Sequence, residues 1–95
     1  MSDYLIADKA AADLVNIEDS YIERGGSEAN ATHLIAGLFE SFQTIADFPD
    51  IGTSRPYLPK TVRALPHGKY IICYQISVDT VEIVQVLYGG MDLSA

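Results

Sequence analysis

Apolar residues follow a helical period through the first half of the chain and a strand period through the second. Ala11, Leu14, Ile17 and Tyr21 are spaced by three and four, which stacks them on one side of a helix. Asp13, Glu23 and Arg24 take the opposite, polar side. Asp8 is read as the cap of this helix, its carboxylate accepting an otherwise unpaired N–H of the first turn. Gly25-Gly26 ends it by supplying a left-handed residue. The pattern restarts at Ser27 and runs to about residue 47, carrying Ala31, Leu34, Ile35, Leu38, Phe42 and Ile45 at the same spacing. Pro49 and Gly52 stop it. Two such helices joined by a link of two or three residues form an antiparallel helical hairpin. Ahead of them, Tyr4-Leu5-Ile6 is a short strand candidate.

Residues 48–60, FPDIGTSRPYLPK, have no period and read as an ordered connector with Phe48, Ile51, Tyr57 and Leu58 as apolar anchors. Three strands follow, at residues 61–65, 70–76 and 80–88, separated by the turn Pro66-His67-Gly68 and a second turn at 77–79. Residues 70–76 are almost continuously apolar, as expected of a central strand. In the last strand Val84, Val86 and Tyr88 fall on one face and Val81, Ile83 and Leu87 on the other. The expected fold is α+β in the order β-α-α-β-β-β, a helical hairpin packed on a mostly antiparallel twisted sheet. Residues 1–95 are read as a single domain.

Composition narrows the function classes. Residues 1–50 hold two basic side chains against ten acidic ones, whereas residues 51–95 hold four basic against three acidic, giving the net charge of −7. An acidic body repels phosphate, so general nucleic-acid binding is not expected. The four later cations, Arg55, Lys60, Arg63 and Lys69, are either ordinary solvated surface or a local positive patch. No run approaches the roughly 18 apolar residues of a membrane span. A single cysteine, Cys73, excludes an internal disulfide, and a reduced cytoplasmic location is the simplest expectation.

Candidate chemistry is sparse. One cysteine and two distant histidines, His33 and His67, form no recognised metal spacing, and no cofactor motif is present. His67 reads as an exposed turn residue, His33 as a residue at the border of the apolar stripe, and Cys73 as a small buried hydrophobe without an adjacent base. Tyr4, Tyr21, Tyr70 and Tyr74 fit core or sheet positions.

Four stretches together carry a resemblance: ADKAAADLVNIEDSYIERGG, IADFPDIGTSRPYL, VRALPHGKYIICYQI and VEIVQVLYGGMDL. In their order and spacing the chain resembles toxins of the RelE/ParE superfamily, specifically its ParE branch, from bacterial toxin–antitoxin modules. Family members commonly show Asn-Pro-x-x-Gly after the second helix, an Arg before a Phe-Pro-x-Gly-x-Tyr turn, and Val-Leu-His-Gly-x-Arg-Asp at the tail. Here the tail histidine is replaced by Tyr88 and the arginine by Met91. Relatives that cleave messenger RNA on the ribosome carry an arginine on the central strand, where Ile71 stands in this chain. Cleavage by 2′-hydroxyl attack must stabilise a pentavalent phosphate and transfer protons, and an isoleucine does neither.

The resemblance therefore implies a binding toxin with no catalytic residues. Its implied target is DNA gyrase, and its implied neutralising partner is a ParD-like antitoxin, a ribbon-helix-helix protein with a C-terminal helix. Arg55, Tyr57, Leu58, Lys60, Arg63, Lys69, Tyr88, Met91 and Asp92 are the candidate partner-binding residues, apolar surface rimmed by positive charge. Two alternatives stand beside this reading. One is a ribosome-dependent endonuclease using Lys60, Arg63, Lys69 and Tyr88. The other is an inactive relative that only binds its antitoxin.

Overall fold

The computed structural model describes residues 3–89. Its element order is β1 (Tyr4–Ile6), α1 (Asp8–Glu23), α2 (Glu28–Asp47), β2 (Val62–His67), β3 (Tyr70–Ser77) and β4 (Thr80–Tyr88). This is the β-α-α-β-β-β arrangement that the periodicity implies. The four strands form one mixed sheet in the order β1-β4-β3-β2. β1 runs parallel to β4, and the other two pairings are antiparallel. The helical hairpin covers one face, burying Ala10, Leu14, Leu38, Phe42 and Ile45 against Tyr70, Ile72, Tyr74, Val81, Ile83 and Val86. Full burial of a side chain such as Leu38, Phe42 or Ile45 contributes about 1.5–3 kcal/mol, and all three have no exposed area.

The helix boundaries have local causes, not all of them those expected. The Ser27 hydroxyl accepts from Asn30 N at 3.0 Å and caps α2. Ahead of α1, however, the cap position belongs to Ala7, which has no side-chain bond. Asp8 is already helical, where its charge favours the positive N-terminal end of the helix dipole. After α1 the Gly25 amide donates to Ile22 O and the Gly26 amide to Tyr21 O, both at 3.0 Å. This double closure requires a left-handed residue, and Gly25 has φ 95°. On the apolar stripe of α1 the buried alanine is Ala10, while Ala11 is exposed.

The sheet departs from simple alternation at one point. Cys73 pairs with Gln85 and Tyr74 with Ile83, so Val84 is an extra residue in β4 and forms a bulge. Side-chain parity reverses across it. Val81 and Ile83 face the helices before the bulge, and Val86 and Tyr88 face them after it. The assignment of Val84, Val86 and Tyr88 to one face and Val81, Ile83 and Leu87 to the other is thereby corrected. Asp13 is corrected with it. It does not sit on the solvent side of α1; its side chain is only 12% exposed, and its Oδ2 accepts from Val86 N at 3.0 Å. Lys9, one turn earlier, forms an ion pair with the same carboxylate.

The connector is tied down by the central strand. The fully buried Tyr74 donates its hydroxyl to Pro49 O at 2.6 Å and accepts from Gly52 N at 2.8 Å. Arg63 Nη1 donates to Gly52 O at 2.9 Å. Thr53 then pairs with Ala64 and covers part of the outer edge of β2. Pro66 is accommodated in β2 because that strand is at the sheet edge and need not donate outward. A Cβ on Gly52 would lie 2.6 Å from the Tyr74 hydroxyl and 3.0 Å from Ala64 O. Tyr74→Phe is therefore expected to lower stability by about 1–3 kcal/mol, since it strands a buried amide and a carbonyl. Gly52→Ala should cost at least as much. Urea unfolding measures both, and an unchanged midpoint for either variant would contradict this tie.

Candidate functional site

Three chain segments meet at the end of the sheet where β4 finishes. The glycine closure of α1 places Arg24 there, the bulge turns Tyr88 toward the helices, and the β2–β3 turn brings Lys69. Between them is a cleft of about 780 Å³, with Tyr21, Leu34, Tyr70 and Tyr88 among its walls. Arg24, His33, His67 and Lys69 also line it. The Arg24 guanidinium lies 5.7 Å from the centroid of the Tyr88 ring, and its Nε donates to Ser20 O at 3.2 Å. Tyr88 packs in turn on Tyr70, with ring centroids 5.6 Å apart. An adjoining depression of about 410 Å³ shares Arg24, Tyr70 and Tyr88 and carries the carboxylates of Asp13 and Glu23.

His67 is not an exposed turn residue. It is the last residue of β2, half-buried, with its Nδ1 2.8 Å from the Ser41 hydroxyl of α2. The parity of β2 explains this: Arg63, Leu65 and His67 share the helix-facing side, opposite Tyr74, Ile72 and Tyr70. His33 is exposed on α2 at the rim of the same cleft.

The structure divides the expected partner-binding residues. Lys69 and Tyr88 share the cleft. Lys69 also lines a second depression of about 310 Å³, together with Arg55, Ile71 and Gly89. Arg63 stands apart, bonded to Gly52 O with Asp50 at 3.9 Å, so its guanidinium braces the connector. Tyr57 and Lys60 are exposed on the connector, and Leu58 is half-buried. Met91 and Asp92 lie outside the described residues. Arg24 was missed because on a helical wheel it belongs to the polar side. Its place is set by the helix ending there, and the two glycines that follow it were the available signal.

Among the described residues no group of three or more His, Cys, Asp or Glu side chains could hold a metal ion. No described helix is long and apolar enough to cross a membrane. Cys73 is fully buried opposite Ala64, as expected of a small hydrophobe. Burial pushes its thiol up to about 11, opposed by the nearby Arg55 charge and a hydrogen bond with Gln85. The thiolate is the reactive form, so this sulfur is a poor nucleophile near neutrality. Burial also raises the Tyr74 hydroxyl.

Two outcomes follow for Cys73. A thiol reagent at pH 8 should label it slowly in the native protein and rapidly in urea. An unfolded chain loses the thiol proton near pH 9 while the folded one keeps it to about 11. The unfolded state then binds fewer protons, and stability falls as pH rises through that window, by about 2–3 kcal/mol at most for this group. Fast native labelling, or stability that does not change between pH 9 and 11, would contradict the burial.

Comparison with known proteins agrees with this architecture. A family model described as "ParE toxin of type II toxin-antitoxin system, parDE" matches residues 4–93. No curated protein matches the chain. Among solved structures, one described as "Chromosomal ParDE TA system from P. aeruginosa" superposes with a TM-score of 0.79 at 22% identity. The alignment covers 93% of this chain and 96% of that one, and at such identity the likeness concerns the fold. With the family model spanning nearly the whole sequence, the chain belongs to the ParE toxin family of type II toxin–antitoxin systems.

Proposed function

We propose that the protein is a cytoplasmic toxin that inhibits DNA gyrase by binding it and is itself held inactive by a ParD-like antitoxin. Family membership supports the toxin role. The observation that favours binding over cleavage is Ile71. Relatives that cut RNA need a cation on the central strand to stabilise the phosphorane charge. Here that position is a half-buried isoleucine, and a side chain at Gly89 would collide with it. The remaining candidates for an endonuclease are also dispersed. Lys69 and Tyr88 share one cleft, whereas Arg63 is four residues before His67 on β2, about 13 Å away along an extended strand. Its guanidinium is occupied by Gly52 O.

The antitoxin is expected to cover the end of the sheet around Lys69, which lines the cleft with Tyr88 and a separate depression with Arg55, with Tyr57, Leu58, Lys60, Met91 and Asp92 as further candidate contacts. Arg63 remains a candidate, and its engagement with the connector makes it a residue whose replacement also affects folding.

Expression without an antitoxin should stop growth with filamentation or DNA damage, and the purified protein should slow gyrase supercoiling. Messenger RNA cut at codon positions on translating ribosomes would replace this reading with the endonuclease. Inactivity in both assays would favour the antitoxin-binding relative.

A further inference from the structure

The chain carries 13 acidic residues and a net charge of −7, yet no carboxylate lines the 780 Å³ cleft among the described residues. Two of the six Lys and Arg residues and both histidines of the chain do line it. Among the described residues neither Arg24 nor Lys69 forms an ion pair with a carboxylate, unlike Lys9 with Asp13 and Arg63 with Asp50. Arg24 is also held in place, through Ser20 O and the Tyr88 ring, so less side-chain entropy is lost when an anion binds it. Leu34, Tyr70 and Tyr88 supply apolar wall between the cations.

We propose that this cleft seats an acidic segment of a partner protein, with carboxylates on Arg24 and Lys69 and an apolar side chain against Tyr70 and Tyr88. The proposal rests on the reading of the chain as a toxin held by a protein partner, and it names where that partner's charge goes. The site is larger than a single ion requires, and its apolar wall has no use for a bare phosphate. A nucleic acid is disfavoured because a polyanion is repelled by the body of the protein over a Debye length of about 8–10 Å. A short peptide needs only local pairing. His67 adds a fixed wall, since Ser41 occupies its Nδ1.

The test is a nuclear magnetic resonance titration of the isotopically labelled full chain. The probes are a helical peptide of Glu and Leu, the same peptide with Lys for Glu, inorganic phosphate, and a single-stranded oligothymidylate. The Glu peptide should shift the amides of Gly25, Gly26, His33 and Lys69 to saturation, and the Lys peptide should not. Binding should weaken as salt rises. Arg24→Glu and Lys69→Glu should each reduce affinity roughly tenfold, a usual effect of reversing one pairing charge in a contact. Salt dependence of the unmodified chain stands even if a variant fails to fold. Phosphate or oligothymidylate giving the same shifts at lower concentration overturns the peptide assignment. Absence of shifts with the Glu peptide, or shifts elsewhere on the surface, overturns the site. A chain that inhibits gyrase while showing no shifts would sink the cleft alone, and shifts without gyrase inhibition would sink the target alone.

Discussion

The hydrogen bond from Val86 N to the Asp13 carboxylate is the contact on which the arrangement of this toxin turns. It joins the first helix to the fourth strand across 73 residues of chain. It also lies two residues past the bulge at Val84, where the strand leaves regular pairing. An amide aimed out of the ladder must find another acceptor or bear the cost of burial without one, about 1–3 kcal/mol. Asp13 supplies a charged acceptor, and Lys9 steadies it. The bond fastens β4 to α1 just beyond the bulge, where pairing with β3 resumes. With regular alternation, Tyr88 would point away from the helices. With the bulge it packs on Tyr70 and under Arg24, and the cleft acquires its floor.

A second tie, at the other end of β3, has a different consequence. Tyr74 and Arg63 hold the connector through Gly52 and Pro49, and the Tyr74 hydroxyl both donates and accepts there. One end of the central strand is thus closed on itself by hydrogen bonds. At the other end Arg24 and Lys69 form no ion pair with a carboxylate among the described residues, and they line a cleft with Tyr70 and Tyr88. The division separates residues that maintain the fold from residues available to a second protein, and it places Arg63 mainly with the first group.

Much of this was legible in the sequence, for reasons that particular residues make clear. The two helices and four strands were readable because the apolar period changes from about 3.6 to 2 near residue 60, and the core residues Leu38, Phe42, Ile45 and Tyr74 lie on those periods. The family was readable from the order of four stretches. What escaped were features set by tertiary contacts. A bulge adds one residue without any composition signal, so the parity of β4 past Val84 could not be read from alternation. Asp13 looks like a solvated residue on a helical wheel, because the amide that holds it lies on a distant strand. His67 looks like part of a turn because Pro66 and Gly68 flank it, although β2 extends through it. Arg24 and His33 are unremarkable until the helical hairpin brings them beside Lys69.

The account therefore depends on whether Asp13 sets the orientation of Tyr88. A two-dimensional NOE spectrum of the Asp13→Ala variant, compared with the unmodified chain, tests this directly. Contacts between the rings of Tyr70 and Tyr88 should be lost or strongly weakened, while those of Tyr74 with Gly52 and of Tyr4 with Phe42 persist. Unchanged Tyr70–Tyr88 contacts in that variant would show that the bulge and the cleft stand without the Asp13 bond, and would contradict the account.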